Sequence, residues 1–189
     1  MKAIMISIKP EWCYLTIEED KTLEIRKGTA LFKAINKLIE KQGVAPMFLY
    51  CTKDKTNKEI LKKMREIYGC EKNNEPYGKV IASYNGTAEE LEHKWNVGKY
   101  QWDYQTKSLS GILVEMCSRL CYDDLDDYLC RVKSTAIHIN AIKVFDKPKE
   151  LSEFKVKHYP QYAGFVKNKT HYELVPLTRA PQSYCYVEV

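Results

Sequence analysis

Hydrophobic and polar positions recur with two periods along this chain, and the alternation between them divides it into elements. Residues 2–8 form a short apolar strand, and Pro10 suits the first position of a helix, where its missing N–H costs nothing. The spacing predicts a helix over about 10–18 that buries Trp12, Leu15 and Ile17, followed by the acidic turn Glu18-Glu19-Asp20. Residues 20–27 then read as a strand. Side chains two apart share a strand face, so Leu23 and Ile25 point one way and Thr22, Glu24 and Arg26 the other.

An amphipathic helix is expected over 30–41, with Leu31, Ile35, Leu38 and Ile39 opposite Lys33, Lys37 and Lys41 and a stop at Gly43. The apolar run 47–52 has strand length and reads as a buried central strand paired with an earlier one. A second amphipathic helix over 59–68 places Ile60, Leu61, Met64, Ile67 and Tyr68 on one face. Residues 78–84 follow as a strand, which Asn85-Gly86 is expected to end in a turn.

Residues 87–110 predict a short helix and a loop. Glu89, Glu90, Glu92 and Lys94 are expected in solvent, while Trp95, Tyr100, Trp102 and Tyr104 either pack the loop on the core or stack on bases. Residues 112–117 suit strand or helix equally. Asp123 or Asp124 reads as the N-cap of a helix running to about Cys130, with Leu125, Tyr128 and Leu129 inward. Residues 136–145 are β-like, with a register jump near Ala141 that predicts a bulge or bend, and His138 lies on the face opposite Ile137 and Ile139. Lys147-Pro148 is expected to break that strand, leaving a helical turn over 148–154 that holds Leu151 and Phe154. An insertion loop or small hairpin over 158–176 and a final strand after Pro181 complete the chain.

These elements make an α+β chain, and its 189 residues suit a single domain large enough to bury a core. Hydrophobic content of 44% and charged content of 29% are globular values. No run approaches the roughly 18 consecutive apolar residues of a membrane helix, and no apolar signal core precedes the first strand, so the expected location is cytoplasmic, away from membranes. A net charge of +5 favours polyanions mildly without requiring them. The seven cysteines are odd in number and read as reduced thiols. Cys117 and Cys121, four apart, would share a face if one helix held both, but no zinc-like set of ligands is completed, so neither metal nor cofactor is expected.

The richest chemistry is in Asp20-Lys21-Thr22-Leu23-Glu24-Ile25-Arg26-Lys27. Arg26 is a fixed cation with a planar fork of donors, Glu24 an acceptor or proton carrier, and Lys21 a donor to phosphate or carbonyl; equally, the stretch is an ordinary strand whose charges pair with neighbours.

Four stretches taken together resemble the ASCH-domain family of the PUA-like superfamily, as found in small stand-alone bacterial and phage members. They are Ser7-Ile8-Lys9-Pro10; Lys21-Thr22-Leu23-Glu24-Ile25-Arg26-Lys27; Ile137-His138-Ile139 with Phe145-Asp146-Lys147-Pro148-Lys149-Glu150-Leu151; and Pro181-Gln182-Ser183-Tyr184-Cys185-Tyr186-Val187. The resemblance implies one domain over 1–189, a mixed β-barrel flanked by helices, with insertions at 53–76, 95–110 and 158–176. It also implies a cleft where the strand of Lys21 to Arg26 meets the first helix and the late strands. PUA-like folds commonly bind RNA or modified nucleobases, and some ASCH-like members are amide hydrolases of acetylated cytidine or ribonucleases. In the hydrolases a Lys and a Thr on this strand work with a Glu from elsewhere. Lys21 matches the Lys, but Glu24 stands at the Thr position, which removes the nucleophile.

The expected ligand is therefore RNA or a nucleotide-like molecule. As an enzyme, the site would use Glu24 as general base or acid, Lys21 and Arg26 to stabilise developing negative charge, and His138 as proton-transfer partner. As a binding module, Lys9 and Arg26 would hold phosphate, Trp12 or Tyr184 would stack on a base and Ser7 would line the site, while Gln182 and Ser183 either read a base edge or simply satisfy turn backbone. The alternative from another class is a non-enzymatic protein-interaction or regulatory adaptor.

Overall fold

The structure is a computed structural model, and it describes residues 1–53, 58–69, 75–96, 101–158 and 172–188. Among these, nine strands join in one sheet: β1 (Lys2–Ile8), β2 (Leu23–Lys27), β3 (Pro46–Cys51), β4 (Lys79–Asn96), β5 (Gln101–Gln105), β6 (Ser134–Lys149), β7 (Lys155–His158), β8 (Glu173–Pro176) and β9 (Tyr184–Glu188). Five helices accompany them among the described residues: α1 (Pro10–Ile17), α2 (Ala30–Gln42), α3 (Lys58–Tyr68), α4 (Gly111–Ser118) and α5 (Tyr122–Leu129). The chain is α+β. The strand order is β2-β6-β4-β3-β1-β9-β7-β8, with β5 on β4, and only the β1–β3 pair is parallel among the pairs whose register is defined. A barrel would need the end strands β2 and β8 hydrogen-bonded, and among the described residues they are not paired, so the expected closure into a barrel is corrected to an open sheet. No helix among the described residues is long and apolar enough to cross a membrane.

The chain divides into two compact units. The first comprises residues 1–10, 47–83 and 144–189, the second 11–46 and 84–143. In the first, β1 pairs parallel with β3 and antiparallel with β9, and its Ala3, Ile4, Met5 and Ile6 are all buried. A strand flanked on both sides and covered on both faces reads as a continuous apolar run, which is why the sequence pattern there is unambiguous. Its core gathers Ala3, Met5, Tyr50, Val80, Phe154, Leu177 and Val187. The strand β6 continues through Pro148 to Lys149, and a 3-10 turn at Leu151–Glu153 replaces the expected longer helical turn. The expected insertions at 53–76, 95–110 and 158–176 fall partly on 54–57, 70–74, 97–100 and 159–171, which lie outside the described residues. The described flanks of the last form the hairpin β7–β8.

In the second unit, Leu23 and Ile25 of β2 join Leu91, Tyr104, Val114, Leu125, Leu129 and Ala136 in a core. Helix α2 ends as predicted at Gly43, whose φ of 79° is the left-handed conformation that glycine adopts without steric cost, and whose N–H donates to the Ile39 carbonyl. Three expectations are corrected here. Strand β4 does not stop at Asn85-Gly86: Tyr84 and Gly86 are buried while Asn85 and Thr87 are exposed, so the strand alternation carries straight through the turn signal. The strand then forms a hairpin with β5, opposing Trp95 to Trp102 and His93 to Tyr104, where a helix and loop were expected. The irregular aromatic spacing is a cross-strand pattern, and single-strand periodicity cannot display it.

Third, Cys121 caps α5 in place of Asp123 or Asp124. Its N–H is accepted 3.3 Å away by the Asp124 carboxylate, which occupies the third helical position. Cys117 lies in α4 and Cys121 precedes α5, so they share no helix, and no group of three metal-ligating side chains occurs among the described residues. Residues 112–117 resolve as helix, and Tyr128 faces outward. In α1 the buried positions are Pro10, Cys13 and Thr16, while Trp12, Leu15 and Ile17 are only half-buried. The register jump in β6 falls on Ala141, whose φ is 50°.

Candidate functional site

The second unit holds a buried charge cluster that begins where α1 ends. Helix α1 gives way to Glu19 at a left-handed φ of 60°, and the Lys21 N–H then donates to the Leu15 carbonyl at 3.0 Å, folding the chain back before β2 starts. That fold turns the Lys21 side chain inward, where it is 3% exposed. Its ammonium donates to the Leu23 carbonyl at 2.8 Å and to Glu24 Oε2 at 2.6 Å. Strand alternation sets Arg26 beside Glu24, with Nε 2.8 Å from Oε1, a close ion pair. Glu24 therefore lies between two cations. Burial pushes its carboxyl up, but the attraction of Lys21 and Arg26 and the hydrogen bonding from them outweigh this and hold it below its usual value.

Lys21 has one donor to spare. An ammonium carries three protons, and Leu23 and Glu24 take two of them. Lys21 also lines a cavity of about 170 Å³, together with Thr16, Glu19, Thr22, Ile139, Ala141 and Ile142. The bend at Ala141 places Ile142 beside Ile139 on this wall, a placement that strict alternation would forbid. The space is smaller than the roughly 300–1,000 Å³ of pockets for drug-sized ligands, and matches one flat ring or acyl group. Half-buried Trp12 sits with its ring centroid 5.8 Å from the Lys21 ammonium.

His138 belongs elsewhere. Register pairs Leu23 with His138 and Glu24 with Ile137, so His138 lies on the Leu23 face and Glu24 and Arg26 on the opposite face of β2. Its Nε2 is 3.1 Å from Glu89 Oε2, which also accepts from Thr106 at 2.6 Å and Ser108 at 2.5 Å. Burial raises the Glu89 carboxyl, and these three hydrogen bonds more than reverse that, holding it below its usual value. The structure thus brings together Lys21, Glu24, Arg26 and Trp12 and leaves His138 in a network of its own. No protein-family model matches the chain, nor does any curated protein.

The remaining candidates lie in the first unit. Ser7 donates its hydroxyl to the Pro181 carbonyl at 2.6 Å, and its N–H to Ser183 at 3.0 Å, so this pair ties β1 to the approach of β9. Lys9, Gln182 and Ser183 are exposed, and Tyr184 is half-buried opposite Ile6.

Sequence reasoning missed Tyr84 and Cys13. Both are buried, and both are electrostatic neighbours: the Tyr84 hydroxyl titrates against Glu24, Arg26 and Cys13, and burial above all pushes it far up, so it is a neutral donor. The signal was present in the Tyr84, Gly86, Ala88 alternation, which the Asn-Gly dipeptide obscured.

Proposed function

We propose that this chain is an ASCH-like, PUA-related protein that binds a nucleobase-bearing ligand, a modified nucleoside or an unpaired base of RNA, in the cavity walled by Lys21. The observation that carries this reading is the third Lys21 proton: a buried ammonium, oriented by Glu24 and Leu23, with one donor left, on a residue that lines the cavity. Such a donor suits a carbonyl oxygen or phosphate, and Ile139 and Ile142 offer the apolar wall a flat base needs. The open sheet departs from the barrel of that superfamily, and the absence of matching family models leaves the four sequence stretches as the support for kinship.

Binding fits the geometry better than turnover. A carboxylate held below its usual pKa is a weak base, so Glu24 serves to fix Lys21 rather than to pull a proton from water. The enzymatic form of the reading, hydrolysis of RNA or of a nucleobase amide, would use Lys21 to stabilise the developing oxyanion. Purified protein and a Lys21→Ala/Glu24→Ala variant, incubated with cytidine, acetylated cytidine and labelled single-stranded RNA at several salt concentrations, test both. Salt-sensitive binding by the wild type alone, without product, supports the reader, and product formed by the wild type alone supports the hydrolase. A wild type that neither binds nor converts any of the three refutes the proposal and leaves the adaptor.

A further inference from the structure

Helices α1 and α2 are both followed by a residue in the left-handed conformation, but not by the same kind of residue. After α2 it is Gly43, with φ of 79°; after α1 it is Glu19, with φ of 60°. Each N–H donates back into the helix just ended, Gly43 to the Ile39 carbonyl at 2.8 Å and Glu19 to the Thr16 carbonyl at 3.3 Å. Glycine takes this conformation freely, whereas any larger side chain crowds its own backbone there. Arg119 and Cys130 hold the same conformation after α4 and α5, and their side chains are engaged: Arg119 donates to the Asp20 carbonyl at 2.7 Å and Cys130 to the Asp127 carbonyl at 3.5 Å. Among the described residues the Glu19 carboxylate takes part in no ion pair or hydrogen bond. Glu19 does line the Lys21 cavity, as does Ala141, whose φ is 50°. Strained residues of this kind gather at functional sites.

Glu19 also supplies the one carboxylate among the lining residues. Lys21 is two positions further on, yet its ammonium is buried and turned to Glu24 and Leu23, while Glu19 is exposed. The two charges therefore do not neutralise each other. The lining offers a buried donor and a separate, exposed acceptor.

We infer that Glu19 determines which ligands this cavity admits, by accepting an N–H on the edge of the bound ring while Lys21 donates to a carbonyl oxygen or ring nitrogen of the same ring. The inference rests on the proposed nucleobase function, and it narrows that function to base edges carrying a donor as well as an acceptor. An ionised carboxylate only accepts, so it holds an N–H strongly and repels phosphate oxygens. A bare phosphate satisfies Lys21 and meets repulsion at Glu19. An amino or imino group beside a carbonyl or ring nitrogen satisfies both.

The test is Glu19→Gly, which removes the carboxylate and relaxes the backbone. Melting temperature is measured on the full chain beside the wild type. Affinity is measured for cytidine and uridine, and for cytidine dimethylated at its exocyclic amine and uridine methylated at its ring N–H, which have lost those donors. The expected variant melts no lower than the wild type and binds the better of the two parent nucleosides at least tenfold more weakly, with the affinity for its methylated form unchanged. A melting temperature lower by more than about 3 °C shows a side chain that serves the fold, and overturns the inference. Unchanged affinity for the parent in a stable variant overturns it, and so does a gain for the methylated form alone, which makes Glu19 a steric wall. Wild type that binds parents and methylated forms equally well overturns the inference and leaves the nucleobase reading standing. Wild type that binds none of the four defeats the nucleoside form of that reading, and the inference with it.

Discussion

Replacing Glu24 by Gln removes one negative charge from between two cations and leaves the shape nearly unchanged. Glu24 is 2.6 Å from the Lys21 ammonium and 2.8 Å from Arg26 Nε, and the three side chains are 8%, 3% and 16% exposed. Gln keeps an acceptor for Lys21, so the loss lies between that of charge-assisted hydrogen bonds, about 1.5–3 kcal/mol, and that of a broken buried ion pair, about 3–5 kcal/mol. A cost of about 3 kcal/mol converts to a melting temperature about 6–12 °C lower for a chain of this size. Thermal and urea unfolding at pH 7 measure it, with Glu59→Gln as the control, since Glu59 and Lys63 form an exposed pair 3.6 Å apart whose loss is expected to cost under about 0.5 kcal/mol. Raising salt to 1 M should leave the Glu24 effect in place, because mobile ions do not reach a buried pair. Acid should remove it: the carboxyl is held below its unfolded value of 4.5, so the stability it contributes is full above that pH and is lost as pH falls through the lower folded value. A Gln variant that melts within 2 °C of the wild type, or whose deficit vanishes in 1 M salt, would refute a buried, mutually dependent cluster.

Other substitutions separate packing from chemistry. Gly111→Ala would bring its new methyl to 2.7 Å from Asp103 Cγ, where Asn96 and Gln101 hold the carboxylate, so unfolding in urea should show a loss of about 1–3 kcal/mol. Gly43→Ala meets nothing within 4 Å and pays only for its φ of 79°, about 1 kcal/mol by the same measurement. Glu89→Gln weakens the acceptor of Thr106, Ser108 and His138 and should cost about 1–2 kcal/mol in urea unfolding; because His138 lies on the opposite face of β2 from Glu24, nucleoside affinity should stay within about twofold.

What could be read from the sequence was whatever depends on one element at a time. The bounds of β1, the stop of α2 at Gly43 and the bend at Ala141 follow from local periods and from the special conformation of single residues. The grouping of Lys21, Glu24 and Arg26 was legible for the same reason: the three lie within six consecutive positions, and strand alternation alone puts Glu24 and Arg26 on one face. The depth of that face was not legible. A strand with charges on one side ordinarily leaves them in solvent, whereas here the second face of β2 is buried as well.

Everything that depends on pairing was hidden. His138 alternates correctly with its neighbouring isoleucines, but which face of β2 it shares is set by register, and register put it opposite Leu23 rather than Glu24. The aromatic residues of β4 and β5 make sense only as a hairpin, in which Trp95 meets Trp102. Tyr84 shows the same limit most sharply. Asn85-Gly86 is a strong turn signal by local propensity, and it lost to a strand whose alternation buries Tyr84 and Gly86 together. Had the turn formed, the tyrosine would have ended a strand; because it did not, its ring is carried into the interior on the electrostatic side of Glu24 and Arg26, a neighbourhood that only the pairing of strands could create.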